Sequence, residues 1–168
     1  MAEKFLQHDA AGGFREVEAT NTGGAGKANL IPALDLSGRL DSTMMPTGIG
    51  AETAVLEAFG ALAAGDFVNV FNDNGVAKVR KADASDTVAP ANGFVLAAFA
   101  AGESATVYFG GLNSAVSGVT AGPAFLSTTP GLSNHVAPGA AGNVVQRIGF
   151  AVNASTINVQ FQDPIELA

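Results

Sequence analysis

From Ser104 to Gln146 the chain contains no Asp, Glu, Lys or Arg, and His135 is the one residue there able to take on charge. The stretch is not uniformly apolar. Gly, Ala, Ser, Thr, Asn and Pro are interleaved with Val107, Tyr108, Phe109, Leu112, Val119, Phe125, Leu126, Val144 and Val145. A helix with a solvent face would carry charges on it, so the pattern predicts strands and turns. A soluble monomer spreads ionic side chains over its surface, typically about a quarter of its residues. Here 14% are ionic over the whole chain. Much of the surface built from this segment is therefore expected to lie against other protein, which points to an assembly component and away from an enzyme.

The 168 residues suffice for one domain with a core and are too few for two plus a long linker. An apolar fraction of 48% excludes a wholly disordered chain. The net charge of −7 argues against nucleic-acid backbone binding, which relies on clustered cations. Lys78, Arg80 and Lys81 form the single local group of cations, and a solvated strand end is the simpler reading of them. Without cysteine, no disulfide and no thiolate metal site can form, so burial and hydrogen bonds must hold the fold. The N-terminal segment lacks the apolar centre of a signal peptide. No run approaches the about 18–20 apolar residues that cross a bilayer. The expectation is a soluble protein made in the cytoplasm, with no membrane partner.

Residues 1–50 read as an extended N-terminal arm. Their apolar side chains are dispersed, Thr22-Gly-Gly-Ala-Gly26 reads as a flexible break, and Pro32 and Pro46 push the residues before them toward extended geometry. Asp35-Leu-Ser-Gly38 is a predicted turn, and Asp41-Ser-Thr43 is able to start at most one helical turn. Such an arm would plug separate side chains into shallow sites on a partner. Leu30, Ile31, Leu34, Leu36, Leu40, Met44 and Met45 are the candidate anchors.

Residues 51–168 read as a compact all-β domain, a sandwich or barrel. Phe67–Phe71 alternates, and Asp73-Asn-Gly75 supplies the positive φ angles of a tight hairpin turn returning through Val76–Arg80. Further strands are predicted at Gly93–Ala98, Ala105–Phe109, Pro123–Ser127, Val144–Val152 and Thr156–Phe161. Glu52–Ala64 is ambiguous: its Ala and Leu favour helix, while the alternation of Thr53, Val55, Glu57 and Phe59 favours strand, the reading preferred here. A series of short strands without a long helix implies a sandwich or barrel.

No constellation assembles chemistry. Gly23-Gly-Ala-Gly-Lys27 lacks the leading glycine and the closing hydroxyl of a phosphate loop. His8 and His135 lie far apart in sequence, and a zinc site would need further ligands that nothing signals. Ser127 and Ser133 lack the frame of a nucleophile for His135. Asn72-Asp-Asn-Gly75 misses the acidic positions of a calcium loop. Asp83 and Asp86 sit in an exposed polar loop, and Asn153-Ala-Ser155 reads as a turn between the last two predicted strands. No catalytic residue, metal ligand or cofactor is assigned.

Two segments together resemble virion structural proteins of tailed bacteriophages. One is Ile31-Pro-Ala-Leu-Asp-Leu-Ser-Gly-Arg-Leu-Asp-Ser-Thr-Met-Met-Pro-Thr-Gly-Ile-Gly50. The other joins Gly122-Pro-Ala-Phe-Leu-Ser-Thr-Thr-Pro-Gly131, Gly142-Asn-Val-Val-Gln-Arg-Ile-Gly-Phe-Ala-Val152 and Asp163-Pro-Ile-Glu-Leu-Ala168. From about Leu62 onward the chain is similar to small β-rich capsid decoration, or cement, proteins. The resemblance implies a binding role on the virion exterior: clamping major capsid protein subunits, commonly as a homotrimer. Arms of this kind also occur in phage fibre and collar proteins, so a tail fibre, collar or baseplate component is the alternative. A virion-associated hydrolase is the third, and the chain lacks an assembled acid, base or nucleophile for it.

Overall fold

The computed structural model describes residues 4–8, 12–28, 30–36, 38–45 and 51–168 and divides the chain into two units, 1–50 and 51–168. Pro46, one of the two prolines expected to enforce extension, lies outside the described residues.

The first unit departs from a simple extended arm. Its strands β1 (Lys4–His8) and β2 (Phe14–Glu18) form an antiparallel hairpin with Phe5 opposite Val17 and His8 opposite Phe14. Lys4 Nζ bonds Glu16 Oε2 at 2.9 Å, and the His8 and Phe14 rings meet edge to face at 5.1 Å. Farther on, the chain folds back on itself. Thr20 bridges Pro32, through Thr20 N–H donating to Ile31 O at 3.0 Å and Ala33 N–H to Thr20 O at 2.7 Å. Within the glycine break, Gly23 is held against Thr43. Gly23 N–H donates to Thr43 Oγ1 at 2.7 Å, and a Cβ on Gly23 would collide with the Thr43 carbonyl. Ala25–Lys27 is a 3-10 turn. The helical turn expected near Asp41 is the 3-10 turn Ser42–Met44, capped by the Asp41 carboxylate accepting from Thr43 N–H at 2.9 Å. The predicted turn at Asp35 also forms, Gly38 N–H donating to Asp35 O at 2.9 Å.

The second unit is all-β. Its strands β3 (Thr53–Ala58), β4 (Phe67–Asp73), β5 (Val76–Lys81), β6 (Gly93–Phe94) and β7 (Ser104–Tyr108) close a barrel in the order β3-β5-β4-β6-β7. Every pairing is antiparallel except β3 with β5, where Glu57 lies beside Lys78 and Ala58 beside Val79. The β4–β5 hairpin turns through Asn74 (φ 53°) and Gly75 (φ 90°), both in the left-handed region that matches the twist of the flanking strands. Of the ambiguous Glu52–Ala64, Thr53–Ala58 is strand β3, and beyond it Leu62 makes one isolated bridge to Phe99. Inside the barrel, Ala58, Leu62, Val68, Val79, Val95, Ala105 and Val107 form one buried cluster.

A five-stranded antiparallel sheet covers one side. It consists of β8 (Gly111–Asn113), β9 (Gly122–Leu126), β10 (Ser133–Asn134), β12 (Arg147–Asn153) and β13 (Thr156–Val159), ordered β10-β9-β12-β13-β8. Its inner face supplies Ala124, Leu126, Ile148, Ala151, Ile157 and Val159 to a second buried cluster with Phe67 and Phe94 of the barrel. Two short strands, β11 (Val144–Val145) and β14 (Ile165–Glu166), pair separately. The single strand predicted over Val144–Val152 is thus two, divided at Gln146. That buried side chain accepts from Ala91 N–H and donates to Ala91 O, each at 2.8 Å, tying the strand junction to the loop before β6. The strand predicted over Gly93–Ala98 shortens to Gly93–Phe94, since Val95 N–H donates instead to Asp66 O at 3.0 Å.

Candidate interaction surfaces

Several polar side chains of the second unit are engaged in shaping its turns. Ser127 Oγ accepts from Thr129 N–H at 3.0 Å, and Asp83 Oδ1 accepts from both the amide and the hydroxyl of Ser85 at 2.8 and 2.7 Å. Asp86 Oδ1 takes Val88 N–H at 3.1 Å, so the two aspartates of that loop form separate turns and not a carboxylate pair. Asn153 Oδ1 accepts from Ser155 N–H at 2.8 Å, which is the turn expected between the final strands of the sheet. Asn72 Oδ1 accepts from Gly75 N–H at 2.6 Å and serves the hairpin. Among the described residues, no three His, Asp or Glu side chains come together as a metal site.

The local group of cations is similarly engaged. Lys78 Nζ lies 2.9 Å from Glu57 Oε1 and 3.0 Å from Asp73 Oδ2. These bonds, that to Glu57 first, push its pKa above the ordinary 10.5 against the opposing effect of burial. Arg80 lies 4.7 Å over the Phe71 ring, while its guanidinium donates to Asn69 Oδ1 at 3.0 Å and Val88 O at 2.7 Å. Lys81 Nζ lies 3.0 Å from Oδ2 of Asp66, a carboxylate only 3% exposed that also accepts from Ala63 N–H at 2.7 Å.

A cavity of about 370 Å³ opens beside that aspartate, with Phe67, Ala124 and Ala151 among its lining residues. Ser117, Thr120, Ser133 and His135 also line it. His135 therefore sits at a recess, and the one carboxylate there, Asp66, is held by Lys81.

The candidate anchors divide into two sets. Leu30 and Met44 are half-buried and line a depression of about 250 Å³ with Thr20, Gly23 and Pro32. Ile31, Leu34, Leu36, Leu40 and Met45 are exposed, Leu34 at 61% and Leu36 completely. The hydrogen bond from Arg39 N–H to Asp35 Oδ1, at 2.9 Å, shapes the turn that carries Leu36. Five large apolar side chains thus stand in solvent within 15 residues.

A second apolar surface was not legible in the sequence. On the outer face of the five-stranded sheet, Phe150 lies opposite Pro123 on one side and Asn158 on the other, and Asn158 lies opposite Leu112. All four are exposed, Phe150 at 46% and Leu112 at 58%, and Val152, at the bulge in β12, is exposed as well. The signal available for it is the alternation itself. Phe150 and Val152 occupy positions at which an antiparallel sheet facing water would place polar residues.

Compared with protein-family models, curated proteins and solved structures, the chain gives no match.

Proposed function

We propose that the chain is a structural protein of a tailed-phage virion: a capsid decoration protein that binds the head surface and bridges neighbouring major capsid protein subunits. The observation that carries this reading is the group of exposed apolar side chains at Ile31, Leu34, Leu36, Leu40 and Met45. Exposed hydrophobic clusters on a soluble chain mark sites of association. Bridging adds interface area that must be broken before capsomers separate, which is how a small protein stabilises a shell. The role is one of binding, without catalysis or a cofactor. Self-association as a homotrimer on the virion exterior follows from the resemblance to cement proteins and suits a chain with so little charge over residues 104–146.

The test is binding of the full chain to shells that lack it. Each anchoring leucine contributes roughly 1.5–3 kcal/mol if fully buried, and about 1.4 kcal/mol is a tenfold change in affinity. The variant carrying both Leu34→Asp and Leu36→Asp is therefore expected to bind at least about tenfold more weakly. Binding as tight as that of the unaltered chain would overturn the anchor assignment.

A further inference from the structure

From Ser104 to Gln162 Arg147 is the only Asp, Glu, Lys or Arg, and this span supplies all five strands of the β10-β9-β12-β13-β8 sheet. The sheet therefore carries no carboxylate, although the chain has 15 acidic residues. Its inner face is filled by the core. Its outer face carries the register-aligned row Pro123, Phe150, Asn158 and Leu112, and Val152, at the bulge in β12, is exposed as well. At one end, Arg147 lies opposite Phe125, and among the described residues it has no carboxylate partner. Its guanidinium makes one long contact, from Nε to Gly149 O at 3.4 Å. The barrel surface differs: Glu57, Asp73, Lys78 and Arg80 lie on its strands.

We infer that the outer face of this sheet is the surface through which one copy of the chain packs against another. The inference rests on the self-association proposed above, and it is independent of where in a virion the protein resides. The charge distribution selects the occupant. Two copies of a chain with net charge −7 repel wherever their carboxylates face each other. On this sheet an acidic copy can approach without placing carboxylate against carboxylate, and meets an unpaired Arg147 at the margin. An apolar centre with a charged group at the rim is the usual anatomy of a protein interface. The edge strands β8 and β10 are only 3 and 2 residues long, so they offer little for edge-to-edge pairing and leave the face as the contact.

The absence of cysteine provides the test. In the full chain, Asn158→Cys places a single thiol in the middle of the row, and Val76→Cys places one on the exposed end of β5. Light scattering first defines the concentrations at which the unaltered chain associates and dissociates. Maleimide labelling of Asn158→Cys is expected to slow at least about tenfold on association, a rate ratio fitting a well-packed interface centre, while Val76→Cys labels at one rate throughout. Phe150→Asp and, on another strand, Leu112→Asp are expected to leave folded monomers by light scattering and circular dichroism. If either variant misfolds, the labelling result decides. A chain that remains monomeric at micromolar concentration overturns both this inference and the self-association it rests on. A chain that associates while Asn158→Cys labels as fast as Val76→Cys overturns the assignment of the face alone. Protection of Asn158→Cys that appears only on shells, and not in the free oligomer, assigns the face to the shell and overturns self-contact.

Discussion

Lys78 occupies the seam where the barrel closes, paired with Glu57 of β3 and Asp73 of β4 while its own strand, β5, lies between them. Its position explains why a lysine belongs at this point: one ammonium bonds a carboxylate on each neighbouring strand, and one of those pairings is the barrel's parallel contact. Because the folded pKa lies above the ordinary 10.5, the bonds stabilise the fold from neutral pH up to that value, where ammonium and carboxylates are all ionised. The contribution is lost as pH rises through the higher folded pKa. The difference in unfolding free energy between the unaltered chain and Lys78→Met should thus stay level from about pH 7 to 10 and shrink only above 10.5. Denaturant titrations across that range measure it. A difference already gone at about pH 8 would mean that the ammonium is not held by the two carboxylates in the folded state.

At the scale of elements, the pattern of burial ranks the strands. Leu126 of β9 and Ile148 of β12 are wholly buried in the cluster joining sheet to barrel. Truncating either to Ala is expected to cost about 2–5 kcal/mol, since the sheet cannot collapse into the space left. Val152→Ala, on the outer face of the same β12, should cost far less in the dissociated chain. Thermal melts at low concentration compare them, and equal losses would contradict the burial pattern. The strands with clean alternation or a turn dipeptide were legible in the sequence: Phe67–Phe71, its return through Val76, and the later strands at Ala105, Pro123 and Thr156. What escaped reading has a physical cause. β10, β11 and β14 have two residues each, too few to show a period, and are held by long-range pairing. The parallel β3–β5 contact that closes the barrel leaves no local trace, because neither strand's pattern depends on its neighbour's direction. In the first unit, Phe5 and Val17 looked like dispersed apolar residues, yet they face each other across a hairpin. The pairs Gly12-Gly13 and Phe5/Gln7 against Arg15/Val17 were the available turn and alternation signals, overshadowed by the glycine and proline content around them.

The whole molecule divides its chemistry unevenly between its parts. In the second unit, cations and carboxylates pair with one another on the barrel, while the sheet beside it is nearly free of charge. In the first unit, local hydrogen bonds order turns that leave Ile31, Leu34, Leu36, Leu40 and Met45 in solvent. Each unit thus exposes an apolar surface: those side chains in the first, and the outer face of the five-stranded sheet in the second. The arm residues were legible as candidate anchors because Pro, Gly and spaced Leu residues rarely build a core of their own. The sheet face was not, since its row comes from four strands whose register only the fold defines. The central claim, that this is a head decoration protein, predicts abundance in the particle. The most direct measurement is the copy number of the chain, from a quantitatively stained gel, in purified particles of a phage whose genome carries its sequence. The expected result is a band close in copy number to the major capsid protein; absence from the particle, or a copy number that is a small fraction of it as for a tail or collar component, would contradict the account.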